Sequence, residues 1–165
     1  MKTKPKILVA YFSAGGVTRR IAEALADAAD ADIYEIRPQV PYTAADLDWR
    51  DKNSRSTIEM ADKASRPAIV ETDANVAAYD AVFVGFPIWW YVAPTIVNTF
   101  LERYDFAGKT VVPFATSGSS GFGETASGLK ASVALSAVFK EGKMLNGKPS
   151  KESLAAWVES LGLFS

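Results

Sequence analysis

The sequence has no cysteine and no histidine among its 165 residues. Without cysteine there can be no disulfide, thiolate nucleophile or iron–sulfur ligand. Without histidine, the Ser-His-Asp triad and most catalytic zinc sites are also excluded. If the protein catalyses a reaction, we expect a bound cofactor to supply the chemistry, and no metal site is predicted.

Net charge and long apolar runs are lacking as well. The 18 basic and 19 acidic residues leave a formal net charge of −1, so electrostatics give no reason to expect nucleic acid or an anionic membrane as a partner. No apolar stretch approaches the roughly 20 residues of a membrane-spanning helix. The apolar run Ile7–Phe12 is also shorter than the core of a signal peptide. We therefore expect a cytoplasmic protein that forms one domain over residues 1–165.

Apolar strands alternate with amphipathic helices along the chain. Strands are predicted at residues 7–12, 32–37, 81–86 and 110–116, with a weak fifth strand within residues 137–145, and helices at residues 18–29, 94–104, 124–136 and from Ser150 onward. Pro113 falls inside the fourth strand and forfeits a ladder hydrogen bond, so we expect a bulge or bend there. The alternation predicts an α/β fold in three layers, with a doubly wound, five-stranded parallel sheet covered on both faces.

The connection between the second and third strands is unusually long and covers residues 38–75, which we call the insertion. Connections of this length are usually functional or separately folded. A helix is predicted at residues 53–61, capped by Asn53 or Ser54, and a short helical turn at residues 73–79. Trp49 could anchor the insertion to the core. Alternatively, it could form a lid or a substrate-facing wall with Arg50, Lys52 and Arg55.

The loop after the first strand has the composition of a phosphate site. It reads Ser13-Ala14-Gly15-Gly16-Val17-Thr18 and leads into a helix, so glycines, hydroxyls and helix N–H groups lie together. It lacks the lysine of a P-loop and the G-x-G-x-x-G order of dinucleotide folds, which favours a single phosphate over a pyrophosphate. Arg19 could pair with Glu23 on a solvated face, or Arg19 or Arg20 could supplement the phosphate site.

Two further loops follow the third and fourth strands, where ligands of open α/β sheets bind. The segment Pro87-Ile88-Trp89-Trp90-Tyr91 contains three consecutive aromatic residues. Because their side chains alternate in direction, at least one should be available to stack on a flat ligand. The alternative is that all three pack under the next helix or the insertion. The segment from Thr116 to Gly123 is rich in serine and glycine and could hydrogen-bond the edge of a heterocycle, although such runs are often simply flexible.

With these loops in this order, the chain resembles the flavodoxin-like proteins, and in particular a subfamily with Pro-Ile-Trp-Trp after strand three and Thr-Ser-Gly-Ser after strand four. The resemblance covers residues 7–163 and implies a sheet order of 2-1-3-4-5 and non-covalent FMN. The residues it places on FMN are Ser13, Gly15, Gly16, Val17 and Thr18 at the phosphate, Pro87, Ile88, Trp89 and Trp90 along the isoalloxazine, and Thr116, Ser117, Gly118 and Gly121 at its other flank and edge. Val17 stands where the family usually has asparagine, and Gly15 replaces a hydroxyl residue, so we expect weaker FMN binding.

Three functions are compatible with this resemblance. The leading hypothesis is electron transfer through FMN to or from a redox partner protein. An NAD(P)H-dependent oxidoreductase of the quinone or flavin reductase type, acting on a small acceptor, is the alternative. It is favoured by the weak net charge and by the lack of a tyrosine in the third loop to cover the flavin. A non-redox module that holds another phosphorylated ligand is the third.

Overall fold

Strands and helices alternate as predicted. A computed structural model of the protein describes residues 6–14, 16–48, 50–62, 64–70, 74–89, 93–116, 129, 132–133, 136–140, 142–145 and 149–162. Within these ranges the strands are β1 (Ile7–Tyr11), β2 (Asp32–Glu35), β3 (Ala81–Pro87), β4 (Thr110–Thr116), β5 (Val138–Phe139) and β6 (Lys143–Met144). The helices are α1 (Val17–Ala29), α2 (Arg55–Ala61), α3 (Thr95–Arg103) and α4 (Lys151–Ser160), and a 3₁₀ turn covers Val76–Ala78.

The strands form a sheet in the order β2-β1-β3-β4-β5, with β6 also paired to β4, and these pairings are parallel. The predicted order 2-1-3-4-5 is therefore confirmed. The prediction of a single fifth strand is wrong, because that edge is divided into two short strands. β5 pairs with the first two residues of β4, whereas β6 pairs with Phe114 and Ala115.

Pro113 accounts for this divided edge. The predicted bulge is wrong, because β4 pairs with β3 in an unbroken register that includes Val84 opposite Pro113, and the alternative of a bend stays a prediction. The carbonyls of Val111 and Ala115 accept hydrogen bonds from the edge segments at 2.9 and 2.8 Å, so alternate residues of β4 face that edge. Pro113 lies between these two residues, and its nitrogen, which cannot donate, faces the gap between β5 and β6.

The sheet is covered on both faces. Leu8 and Ala10 belong to a buried cluster with Val97 and Phe100 of α3. Ile7 and Val9 point to the other face and pack in a second cluster whose helical members include Ile21, Leu25, Leu154 and Val158 of α1 and α4. The three predicted layers are therefore present, and helices flank a buried parallel sheet.

The helix boundaries follow local signals in the sequence. Ser54 caps α2 by accepting a hydrogen bond from the Thr57 N–H, and Ser150 caps α4 in the same way from the Ser153 N–H. Pro94 immediately precedes α3. Most of the helix predicted at residues 124–136 lies outside the described residues. Among the described parts of the chain, no helix is long and apolar enough to cross a membrane.

The insertion is closed at its base and attached to α3. Pro38 and Ile69 form an antiparallel bridge, flanked by hydrogen bonds between residues 39 and 68 and between residues 70 and 37, each 2.8 Å long. Farther out, the Ser65 and Thr95 hydroxyls are 2.7 Å apart, and Arg66 makes two hydrogen bonds to Glu102, at 2.9 and 3.0 Å. The insertion is therefore a folded excursion that packs beside the sheet.

Candidate functional site

Thr116 joins the three predicted loops at the carboxyl edge of the sheet. Its hydroxyl lies 2.7 Å from the hydroxyl of Thr18 in the first turn of α1, and both side chains are buried, with 2% and 3% exposure for Thr18 and Thr116. Its carbonyl accepts a hydrogen bond of 2.9 Å from the Ile88 N–H, directly after β3. Thr116 is also the last residue of β4, from which the third loop departs. The loops after β1, β3 and β4 therefore meet at one residue.

The first loop exposes the amino end of α1. Gly16 has φ = 91°, in the left-handed region that favours glycine, and its N–H donates to Ser13 Oγ at 3.0 Å. A Cβ added at Gly16 would have no atom within 4 Å, so the space beside it is open. The N–H groups of the first turn have no acceptor within the helix. α1 has no side-chain cap hydrogen bond and no acidic residue in its first turn, so this end favours an anion.

The side chains around this helix end have distinct environments. Arg19 pairs with Glu23 at 3.3 Å with both side chains exposed, which confirms its interpretation as part of a solvated face. Val17, the first residue of α1, is 49% exposed. The hydroxyl pair of Thr18 and Thr116 uses one of its two hydrogens internally, which leaves the second available to donate.

Trp89 is the aromatic residue of the second loop that lies within the described part of the chain. Its side chain is partly buried and packs edge-to-face against Phe12, at a centroid distance of 5.7 Å, and against Tyr42, at 5.5 Å. Phe12 follows β1, whereas Tyr42 belongs to the insertion. Trp89 therefore packs against the insertion, whereas the alternative that all three aromatic residues pack in this way stays untested, because Trp90 and Tyr91 lie outside the described residues. Whether Trp89 also contacts a ligand stays a prediction.

Several predicted site residues lie outside the described residues. These are Gly15, Trp90, Ser117, Gly118 and Gly121, together with Trp49 and Tyr91. Those that the structure describes, Ser13, Gly16, Val17, Thr18, Pro87, Ile88, Trp89 and Thr116, lie at the carboxyl ends of three neighbouring strands. Their contacts with a ligand remain predictions.

Tyr42 is a residue of this region that the sequence analysis missed. Its hydroxyl donates to Glu59, and the Arg55 guanidinium lies 3.8 Å from the centre of its ring. Burial raises the pKa of Tyr42 above its ordinary value, and the hydrogen bond to the Glu59 carboxylate raises it further, so the phenol stays neutral. The sequence did contain one signal, the spacing of Arg55 and Glu59 by four residues on a predicted helix, which allows an ion pair. This spacing does not show that the pair is partly buried or that Tyr42 lies beside it.

Two solved structures from Bacteroides are half identical to this chain. A proposed flavoprotein from Bacteroides eggerthii DSM 20697 has 50% identity and a TM-score of 0.90, with 96% of this chain and 98% of that chain covered. Another from Bacteroides uniformis ATCC 8492 has 50% identity and a TM-score of 0.88, with 95% and 99% covered.

A more distant structure shares the fold. It is a flavoprotein in complex with FMN from Lactobacillus acidophilus NCFM, with 19% identity and a TM-score of 0.70 over 96% of this chain and 99% of that chain. Comparison with curated proteins gave no match. A family model described as flavodoxin matches residues 6–161. Since this match spans nearly the whole chain, the protein belongs to the flavodoxin family.

Proposed function

We propose that this protein binds FMN non-covalently at the carboxyl edge of its sheet and acts in electron transfer through the bound flavin. The observation that carries the proposal is the meeting of three loops at Thr116, which brings a phosphate-type loop and an aromatic loop to one place. Membership of the flavodoxin family and the FMN complex of the Lactobacillus acidophilus protein support it.

The residues at the amino end of α1 fit a single phosphate. The first turn of the helix offers N–H groups, the left-handed Gly16 leaves open space beside it, and no acidic side chain lies in that turn. In this proposal Ser13, Gly15, Gly16, Val17 and Thr18 hold the phosphate. The spare hydrogen of the Thr18 and Thr116 pair would be a further donor.

The flat part of FMN would lie between the second and third loops. Pro87, Ile88, Trp89 and Trp90 would line one side of the isoalloxazine, and Thr116, Ser117, Gly118 and Gly121 its other flank and edge. Trp89 suits this role because Phe12 and Tyr42 hold its indole by edge-to-face contacts. FMN supplies the electron transfer when bound, and the protein's own residues bind the phosphate, orient the ring and limit its contact with water.

The test is a comparison of FMN with riboflavin, which lacks the phosphate. We expect the protein to bind FMN, with a change in its visible spectrum, and to bind riboflavin roughly tenfold or more weakly. Val17→Asp places a carboxylate at the phosphate end and favours the helix itself. It should weaken FMN binding roughly tenfold and leave riboflavin binding unchanged.

Val138→Asp is the matched control for this substitution. Val138 is as exposed as Val17, at 49%, but pairs with the first residue of β4, at the opposite edge of the sheet. It should leave the affinities for both flavins unchanged. Binding of neither flavin would reject the proposal and favour the module for another phosphorylated ligand. Equal loss of FMN affinity in both variants would reject the phosphate site at α1.

The NAD(P)H-dependent oxidoreductase is the second candidate. The net charge of −1 favours it, because so weak a charge provides little field to steer a basic protein partner. Anaerobic mixing of the FMN-loaded protein with NADH or NADPH separates the two functions. Rapid loss of the flavin's visible absorbance with NADH or NADPH alone, followed by turnover of a quinone, would establish the reductase. A flavin that stays oxidised under these conditions would support the electron carrier.

A further inference from the structure

Three aromatic rings contact one another where the insertion meets the sheet. The ring centroids of Phe12, Tyr42 and Trp89 lie 5.5–5.7 Å apart, in edge-to-face geometry. Phe12 is fully buried, and its N–H donates to the Gly85 carbonyl at 2.9 Å, so this ring is part of the core. The indole of Trp89 therefore has one neighbour that the sheet fixes and one, Tyr42, that the insertion supplies.

Tyr42 is held at both its face and its hydroxyl by α2. The Arg55 guanidinium lies 3.8 Å from the ring centre, and the hydroxyl donates to Glu59. Arg55 Nε in turn lies 3.0 Å from Glu59 Oε2, with side-chain exposures of 23% and 16%. Arg55 Nη1 also donates to the Val40 carbonyl at 2.6 Å, which ties α2 to the segment that carries Tyr42. These contacts leave the phenol ring little freedom to turn.

The insertion as a whole is attached on two other sides. Pro38 and Ile69 close its base, and the hydroxyls of Ser65 and Thr95 join it to α3 at 2.7 Å. These attachments do not involve Tyr42 or Trp89, so the insertion has anchors besides the aromatic contact. The arrangement of Arg55 and Glu59 therefore determines where the Tyr42 ring meets the indole.

We propose that Tyr42 is a positioning residue whose ring, held by Arg55 and Glu59, sets the orientation of the Trp89 indole and thereby of the flavin ring beside it. The flavin part of this inference rests on the proposed function, in which Trp89 lies along the isoalloxazine. The insertion then contributes to the flavin site through an aromatic contact.

The chain offers a matched control at the opposite edge of the sheet. The Tyr79 hydroxyl donates to Asp32 Oδ2 at 2.8 Å, and Lys6 Nζ lies 5.6 Å from the centre of its ring. Tyr79 is thus a second partly buried tyrosine with a carboxylate acceptor and a nearby cation, but Asp32 starts β2 and Tyr79 precedes β3. Tyr42→Phe and Tyr79→Phe remove the same hydroxyl from the same kind of partner at the two edges.

The first measurement uses the protein without flavin. The difference in near-ultraviolet circular dichroism between the wild type and Trp89→Phe isolates the signal of the Trp89 indole. We expect Tyr42→Phe to reduce that signal by roughly half or more, because the phenyl ring, without the hydrogen bond to Glu59, would no longer keep a fixed edge-to-face contact with the indole. Tyr79→Phe should leave the signal unchanged. In the Trp89→Phe background, Tyr42→Phe should have no further effect on the tryptophan bands. Equal spectra for the Tyr42 and Tyr79 variants would overturn the positioning role.

Glu59 provides a rescue test of the same contact. Glu59→Gln keeps an oxygen that can accept the phenolic hydrogen, whereas Glu59→Leu removes the acceptor. We expect the Gln variant to retain most of the Trp89 signal and the Leu variant to lose as much of it as Tyr42→Phe does. A Leu variant that matches the wild type would contradict the role of the Glu59 hydrogen bond in orienting Tyr42.

The second measurement is FMN titration of the same variants. Tyr42→Phe should raise the Kd for FMN roughly fivefold, and Tyr79→Phe less than about twofold. In the Trp89→Phe background the effect of Tyr42→Phe should disappear, since coupled residues are not additive. Full additivity would show that Tyr42 does not act through Trp89. If the wild type binds no FMN, the proposed function fails, and the spectra of the flavin-free protein still decide whether Tyr42 orients the indole.

Discussion

Similar polar residues have different roles at the two ends of the parallel strands, which form the amino edge and the carboxyl edge of the sheet. At the amino edge the polar groups satisfy one another: the Lys6 N–H donates to Asp80 at 2.8 Å, the Tyr79 hydroxyl to Asp32 at 2.8 Å, and Lys109 Nζ to the Tyr79 carbonyl at 2.6 Å. At the carboxyl edge, the first turn of α1 has no side-chain cap hydrogen bond, and open space lies beside Gly16.

This difference shows where a ligand can gain affinity. A donor that already has a protein acceptor gains little from a ligand, whereas the N–H groups at the start of α1 have no acceptor within the helix and favour an anion. The parallel arrangement itself creates the asymmetry, because each helix that follows a strand begins at the carboxyl edge. Substitutions in the core of the sheet and at each of its two edges test this contrast.

Gly85→Ala should cause the largest loss of stability. A Cβ at this position would lie within 3.0 Å of three Phe114 ring carbons, in the strand that pairs with β3. We expect the free energy of unfolding to fall by about 3 kcal/mol, since a fully buried ring has little room to move aside. Urea unfolding followed by circular dichroism measures this change. A variant as stable as the wild type would mean that β3 and β4 can shift apart at this point.

Thr116→Val should have the next largest effect, and it acts only at the carboxyl edge. It leaves the buried Thr18 hydroxyl without its partner at 2.7 Å, which should cost about 2 kcal/mol of stability. Since the pair joins the first and third loops, FMN affinity should fall as well. Thr95→Val removes a bond of the same length to Ser65 and serves as the control. Thr95→Val should lower stability but reduce FMN affinity less than Thr116→Val does. A larger loss of FMN affinity in Thr95→Val would contradict the role of Thr116 in joining the loops of the site.

The features predicted correctly from the sequence depend on local physics. Ser54 and Ser150 cap helices because their hydroxyls reach N–H groups three residues later. β4 was predicted with its observed ends because it is an apolar run between turn residues. The phosphate role of the glycines and hydroxyls in the first loop stays a prediction, which local sequence allows because such a site needs these residues within a short segment.

The features that were missed depend on contacts between distant segments. The division of the fifth strand depends on which edge of β4 the Pro113 nitrogen faces, and only the assembled sheet determines this. Tyr42 lies 47 positions before Trp89 in the chain, and the spacing of its neighbours Arg55 and Glu59 by four residues on a helix gives no indication of Tyr42. No periodicity links such residues, so their contact could not be inferred from spacing alone.

Gly16→Ala and Gly108→Ala compare the two edges directly. Both glycines have left-handed φ angles, 91° and 74°, and a Cβ at either would meet no atom within 4 Å. Each substitution should therefore cost a similar amount of stability, about 1–2 kcal/mol, from backbone strain alone. Gly16→Ala should also weaken FMN binding roughly tenfold, because the new methyl group occupies the open space at the phosphate end. Gly108 precedes β4 at the amino edge, so its variant should bind FMN normally.

Equal FMN affinities for these two variants would remove the functional distinction between the edges. Equal losses of stability are needed for the comparison to be meaningful, and thermal unfolding without FMN measures them. If only Gly16→Ala binds FMN weakly while both variants are equally destabilised, the weak binding cannot be attributed to general unfolding. The space beside Gly16 would then be part of the ligand site.

The smallest expected effect is a difference in stability at alkaline pH. Burial raises the pKa of Tyr79 to about 12, with the hydrogen bond to Asp32 as the next cause, against about 10 in the unfolded chain. Because the folded-state pKa is the higher one, the contribution of Tyr79 to stability is complete below pH 10 and is lost as the pH rises to 12. In this window the unfolded state releases its proton first, so the free energy of unfolding falls with pH.

Tyr79→Phe should make the decrease of stability at alkaline pH shallower. Tyr42→Phe should do the same, because burial also raises the pKa of Tyr42. Urea unfolding between pH 9 and pH 11.5 measures both slopes, and the difference from the wild type isolates each tyrosine from the lysines that titrate in the same range. The two tyrosines lie at opposite edges, so the double variant should show the sum of the two changes. Parallel curves for wild type and variants would mean that neither phenol has a raised pKa in the folded state. Of the two tyrosines, Tyr42 is the one that contacts Trp89. The two single variants should therefore change alkaline stability in the same way but differ in FMN affinity. This difference separates the contribution of a hydrogen bond to the fold from its contribution to the site.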